Sequence, residues 1–131
     1  MSLRTPTVAD SGRLEGARIL IVEDNALIAF DMADSLEEAK ASTTVCASVA
    51  DALAMLDGDG RFDAAVLDVN LPDGIVTPVA ERLFARHVPM LFCTGVSLPA
   101  PIRERFPDAP VFMKPVQTTE IIGRLAAILG R

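Results

Sequence analysis

Five short aliphatic runs, separated by stretches of helical periodicity, limit what this chain can fold into more than any other feature. Ala17 to Glu23, Thr43 to Ala47, Phe62 to Asp68, Pro89 to Thr94 and Val111 to Met113 read as strands. The first is rich in Ile and Val without polar alternation, as suits a strand buried on both faces. Asn25 to Lys40 reads as a helix, because Ile28, Met32, Leu36 and Ala39 fall on one face with charged residues between them. Ser48, three residues before Asp51, has the form of a capping box opening a short helix to Leu56, which Gly58 and Gly60 end. Leu71-Pro72-Asp73-Gly74 is a turn by composition. Ile75 to His87 is the next helix, with Pro78 in its first turn, where a missing N–H costs little. Thr118 or Thr119 is expected to cap a last helix carrying the stripe Ile121, Ile122, Leu125, Ile128 and Leu129. Strands alternating with helices imply parallel pairing through right-handed crossovers. The predicted fold is therefore α/β: a (βα)5, doubly wound, five-stranded parallel sheet with helices on both faces.

Length and charge narrow the rest. The chain has 131 residues, half of them hydrophobic, enough for one domain with a buried core. A formal net charge of -6 argues against direct nucleic-acid binding, which needs a basic face, and against a polybasic membrane patch. No apolar run approaches the roughly 18 residues that span a bilayer, and no secretion signal is visible. Cys46 and Cys93 sit inside apolar runs with no metal-type spacing, as expected of buried, reduced thiols in a cytoplasmic protein. Residues 1–16 read as an N-terminal tail and 17–131 as the domain, with no residues left for an output domain. The stretch from Gly95 to Pro110 holds four prolines, so any helix there is short. It is expected to bury little apolar surface and to rank among the least stable parts of the fold.

In a parallel α/β sheet, sites form beyond the carboxyl ends of the strands. The first strand ends in Glu23-Asp24, the third in Asp68, the fourth in Thr94 and the fifth in Lys114-Pro115. Singly, each has an ordinary explanation as a helix cap, turn residue or solvated loop residue. Jointly, the fold brings three carboxylates, a hydroxyl and an ammonium to one edge. Three clustered carboxylates repel one another and call for a cation. An all-oxygen donor set suits Mg²⁺, whereas Zn²⁺ would want His or Cys. The only histidine, His87, lies at the far end of its helix. Lys114 and Thr94 supply a point charge and a donor suited to phosphoryl oxygens. Only two of the twelve Lys and Arg residues are Lys, and a compact ammonium on a flexible stem is specifically useful against phosphate. The set composes a phosphoryl-transfer site with a carboxylate nucleophile, for which Asp68, central in the sheet, is the best candidate.

These residues stand in motifs: I-L-I-V-E-D at 19–24, V-L-D-V-N-L-P-D-G at 66–74, F-C-T-G at 92–95 and M-K-P at 113–115. Together they resemble the CheY-like receiver domains of two-component response regulators over roughly residues 17–129. The resemblance implies that Asp68 accepts a phosphoryl group from a histidine kinase or phosphotransfer protein. It implies that Glu23, Asp24, Asp68 and the backbone carbonyl of Asn70 form the Mg²⁺ shell, Asp24 directly and Glu23 through water. It further implies that Thr94 is the switch hydroxyl, Lys114 the phosphate-binding lysine, and Lys114–Pro115 a cis peptide. Output would pass through a downstream protein partner, or the chain would drain phosphate from a shared kinase. Residues 95–108 would carry the readout. Two departures stand out. The position that is commonly Tyr or Phe, three before the lysine, is Val111. F-C-T-G-V-S at 92–97 is similar to the F-A-T-G-x-Y motif of a subgroup of alphaproteobacterial single-domain receivers, matching at Phe92, Thr94 and Gly95 but not at Cys93 or Ser97.

Three other readings compete. A receiver-like scaffold would leave Asp68 unphosphorylated. A Mg²⁺-dependent phosphatase of the haloacid-dehalogenase type also uses an Asp nucleophile, but its D-x-D lies on the first strand, and here Asn70 stands where a second acid would be. A flavodoxin-like FMN binder would need a Ser/Thr-rich phosphate loop where this chain has Glu23-Asp24.

Overall fold

The computed structural model describes residues 12–58 and 60–131. The elements run β1 (Arg18–Val22), α1 (Ala26–Glu38), β2 (Ser42–Cys46), α2 (Val49–Asp57), β3 (Ala64–Asp68), β4 (Asn70–Leu71), β5 (Gly74–Ile75), α3 (Thr77–Ala85), β6 (Met90–Thr94), α4 (Ala100–Arg105), β7 (Val111–Met113) and α5 (Thr118–Ile128). Five strands form one parallel sheet in the order β2-β1-β3-β6-β7. This is the doubly wound order whose switch point falls between β1 and β3.

Strand alternation divides the core in two. Leu20, Val22, Ala65, Leu67, Met90 and Phe92 face one side and pack on α2, α3 and Ile102 of α4. Ile19, Ile21, Ala64, Val66, Leu91 and Cys93 face the other and pack on α1 and α5. β1, β3 and β6 are sandwiched between these layers, which is why their sequences are apolar except at the ends, where Arg18 opens β1 and Asp68 and Thr94 close β3 and β6. At the edges, β2 and β7 carry exposed and half-buried residues.

Local chemistry sets the helix ends. Asn25 Oδ1 accepts from the Ile28 N–H at 3.1 Å, and Ser48 Oγ from the Asp51 N–H at 3.0 Å. Pro78 lies in the first turn of α3. Exposed His87 follows the end of α3 at φ 58°, its N–H donating to the Phe84 carbonyl.

The structure corrects three expectations and adds detail to a fourth, the turn at 71–74. Residues 12–16 are not a tail: Leu14 is fully buried, its N–H donates to the Ala39 carbonyl at 2.9 Å, and it seals the end of the α1/α5 core. Residues 1–11 of the expected tail lie outside the described residues. Neither Thr118 nor Thr119 caps α5; Gln117 holds the cap position without a side-chain bond, and Thr118 is already helical. The 71–74 turn is the tip of a hairpin in which Asn70 pairs with Ile75 and Leu71 with Gly74. The proline-rich segment is short-helical as expected, yet it does bury apolar surface: Leu98, Ile102 and Phe106 all enter the core. Pro101 falls in the first turn of α4, so its ring costs that helix nothing.

Candidate functional site

Each candidate residue follows directly from a strand end. β1 runs out at Val22, where the Glu23 N–H still bonds to the Cys46 carbonyl at 3.0 Å, fixing the acid pair at the sheet edge. β3 ends on Asp68 itself, in register with Cys93 of β6. Thr94 closes β6, and its carbonyl accepts from the Lys114 N–H at 2.8 Å. That bond draws the chain after β7 over the same edge, where Lys114–Pro115 is cis.

Carboxylate oxygens of Glu23, Asp24 and Asp68 lie within 4.8 Å of one another. Glu23 and Asp68 are buried, 5% and 8% exposed, while Asp24 is open to solvent. Lys114 Nζ stands 2.8 Å from Glu23 Oε1 and 3.3 Å from Asp68 Oδ2, so one ammonium bridges the two buried acids. The other Glu23 oxygen accepts from the Asn25 N–H at 3.1 Å, linking the acid pair to the cap of α1. Burial, with the neighbouring Glu23 charge, pushes the Asp68 carboxyl up to about 6 against the opposing pull of Lys114. For Lys114, burial lowers the pKa, but the bond to Glu23 and the charge of Asp68 outweigh it and hold the ammonium protonated above its usual range. The Cys93 thiol is pushed up to about 12, chiefly by burial, and is no nucleophile near neutral pH.

Thr94 is fully buried, and its Oγ1 accepts from the Val96 N–H at 3.2 Å. That bond engages the hydroxyl oxygen as acceptor and leaves its proton for donation. Asn70 is exposed at the start of the hairpin, two residues beyond Asp68. The aromatic departure has a structural counterpart: Val111 is exposed, while Phe112 turns to the α1/α5 side beneath the Arg124 guanidinium.

One residue was legible only as part of a turn. Asp73 reaches across to α2, its Oδ1 accepting from the Val49 N–H and its Oδ2 from the Ala50 N–H, both at 2.9 Å. Those two bonds hold its carboxyl below the usual range. The P-D-G string announces a turn but not a partner more than twenty residues away.

An all-oxygen cluster beside one lysine fits a hard cation sharing its shell with phosphate. Similarity to known proteins agrees with this chemistry. No protein-family model matches the chain. Sensor protein TorS of Escherichia coli (strain K12) is 32% identical over 126 residues, which are 92% of this chain and 14% of that protein. The chain thus spans about a seventh of that relative's length. Among solved structures, the non-phosphorylated HemR receiver domain from Leptospira biflexa is 28% identical with a TM-score of 0.76, over 88% of this chain and 95% of that one. The receiver domain of sensor histidine kinase PA1611 from Pseudomonas aeruginosa PAO1, solved with a magnesium ion coordinated in its active-site cleft, is 26% identical with a TM-score of 0.70. It covers 88% of this chain and 99% of that one. The structural neighbours are CheY-like receiver domains, and the fold is theirs. The relatives support a phosphorelay receiver function.

Proposed function

We propose that residues 17–131, with the buried Leu14 turn, form a receiver that takes one phosphoryl group on Asp68 from a histidine kinase or phosphotransfer protein. The observation that carries this is the single ammonium of Lys114 bridging two buried carboxylates beside a third, exposed one. Such a cluster is costly unless its charge is used. Glu23, Asp24, Asp68 and the Asn70 carbonyl would hold Mg²⁺, which when bound offsets negative charge on the carboxylates and phosphoryl oxygens. An Asp68 oxygen attacks phosphorus, the bond to the donor nitrogen breaks, and an acyl phosphate forms. Lys114 then exchanges its 3.3 Å contact with Asp68 for a phosphoryl oxygen. Thr94 donates its free hydroxyl proton to another.

The chain performs no further turnover beyond loss of its own phosphoryl group. α1 begins just past Asp24 and exposes Leu27 and Phe30, 82% and 70%, giving a protein donor apolar surface next to the acceptor. Val96, Val111 and Met113 are also exposed and offer a second face to a downstream protein partner. The net charge of -6 argues against nucleic acid as a direct target. Cys46 and Cys93 are free and buried, which supports a cytoplasmic location for this receiver. Among the described residues no helix is long and apolar enough to cross a membrane. Phe92, Thr94 and Gly95 support membership of the F-A-T-G-x-Y subgroup.

Incubation with Mg²⁺ and excess acetyl phosphate separates the readings. A receiver captures one phosphoryl group per chain. A scaffold captures none, and a phosphatase turns over simple phosphate esters continuously; either result would replace the receiver reading.

A further inference from the structure

The first N–H groups of a helix have no acceptor within it. In α2 all three at the start are nonetheless bonded. Ser48 takes the Asp51 N–H, and Asp73 takes those of Val49 and Ala50 with one carboxylate oxygen each. A charged acceptor on two N–H groups at a helix N-terminus is a strong arrangement, since the charge also complements the helix dipole. Asp73 belongs to another part of the chain. It sits at the tip of the hairpin formed by β4 and β5, the segment that leaves the site immediately after Asp68.

That hairpin needs an outside hold. Each of its strands is two residues long, too short for independent stability. Its base is fixed by Val69 and Val76 in the core and by the Val76 N–H bond to the Val69 carbonyl at 3.0 Å. Leu71 anchors one strand, while Asn70, Pro72, Asp73, Gly74 and Ile75 are exposed. The two bonds from Asp73 fasten the tip.

We propose that Asp73 is a positioning residue: by gripping the start of α2 with both carboxylate oxygens, it fixes the hairpin that presents Asn70 beside Asp68 and so couples α2 to the acid cluster. Its consequence for metal binding rests on the reading of Asn70 given above; its consequence for the hairpin does not.

The test compares Asp73→Ala with Ser48→Ala, without metal and then with Mg²⁺ alone. Both variants remove an acceptor from the same helix end, and both lower Tm by a few degrees. Only Asp73→Ala frees the hairpin. Amide hydrogen exchange at Val76 should quicken about tenfold in Asp73→Ala and stay at the native rate in Ser48→Ala. Mg²⁺ affinity, followed by amide NMR shifts, should weaken about tenfold in Asp73→Ala and hold in Ser48→Ala, as for other residues that orient a metal ligand. Asp73→Asn keeps one acceptor oxygen and should fall between, which also serves if the alanine variant does not fold. Equal exchange rates in the two alanine variants would overturn the clamp. Native-like Mg²⁺ affinity in Asp73→Ala would overturn the positioning role. A native protein that binds no Mg²⁺ would defeat the reading of the acid cluster, and the exchange comparison would still decide the clamp.

Discussion

Asp68 holds a charge that its buried position beside Glu23 resists. Its carboxyl is raised to about 6 by burial and by Glu23, with Lys114 pulling the other way. A raised carboxyl binds its proton more tightly in the folded state than in the unfolded chain. The stability this contributes is complete below the unfolded value near 3.8 and is lost as pH rises through about 6. At neutral pH in a chelator, Asp68→Asn should therefore be more stable than the native protein, by no more than about 3 kcal/mol. The gain should shrink towards pH 4. Thermal melts across that range check it, and a gain that grows on acidification would reverse the assignment. Much of this was legible in the sequence, because Asp68 ends an unbroken apolar run and strand ends in this topology share one edge. The bridging geometry of Lys114 was not, since no local pattern says which of three acids an ammonium will choose.

At the scale of elements, α4 is where sequence and structure part most. Four prolines between Gly95 and Pro110 suggest a loose connection, and the six residues of α4 are indeed few. What composition does not show is spacing. Leu98, Ile102 and Phe106 recur every four residues and all turn inward, Phe106 meeting Phe84 edge-on with ring centroids 5.5 Å apart. Ile102→Ala should accordingly cost about 2–5 kcal/mol in denaturant unfolding, as for a core residue, and a loss under 1 kcal/mol would restore the loose-loop picture. The segment still adjoins Thr94 through Gly95. A beryllofluoride mimic of the phosphorylated state should change exchange protection across 95–108, and unchanged protection there with changes elsewhere would remove the segment from the readout. Strands were legible because burial on both faces writes continuous apolar runs. The β4–β5 hairpin was not, because two-residue strands leave no period to read. The start of α5 misled because two adjacent threonines imitate a cap that Gln117 occupies instead.

For the whole molecule, two apolar layers on either side of the sheet hold the chain together, and one polar edge concentrates its electrostatic cost. Cation binding at that edge should stabilise the entire domain, by about 2.7 kcal/mol at a hundredfold excess over Kd. Asp24→Ala should raise the melting temperature of the metal-free protein by relieving repulsion and abolish the increment caused by Mg²⁺. Superimposable Mg²⁺ titrations of the two proteins would contradict this. The central claim is that Asp68 is where a phosphoryl group arrives, and intact mass followed by peptide mapping tests it most directly. After incubation with Mg²⁺ and acetyl phosphate, the native chain should carry one added phosphoryl group, mapped to the peptide containing Asp68, and Asp68→Asn should carry none. Equal labelling of Asp68→Asn would contradict the account.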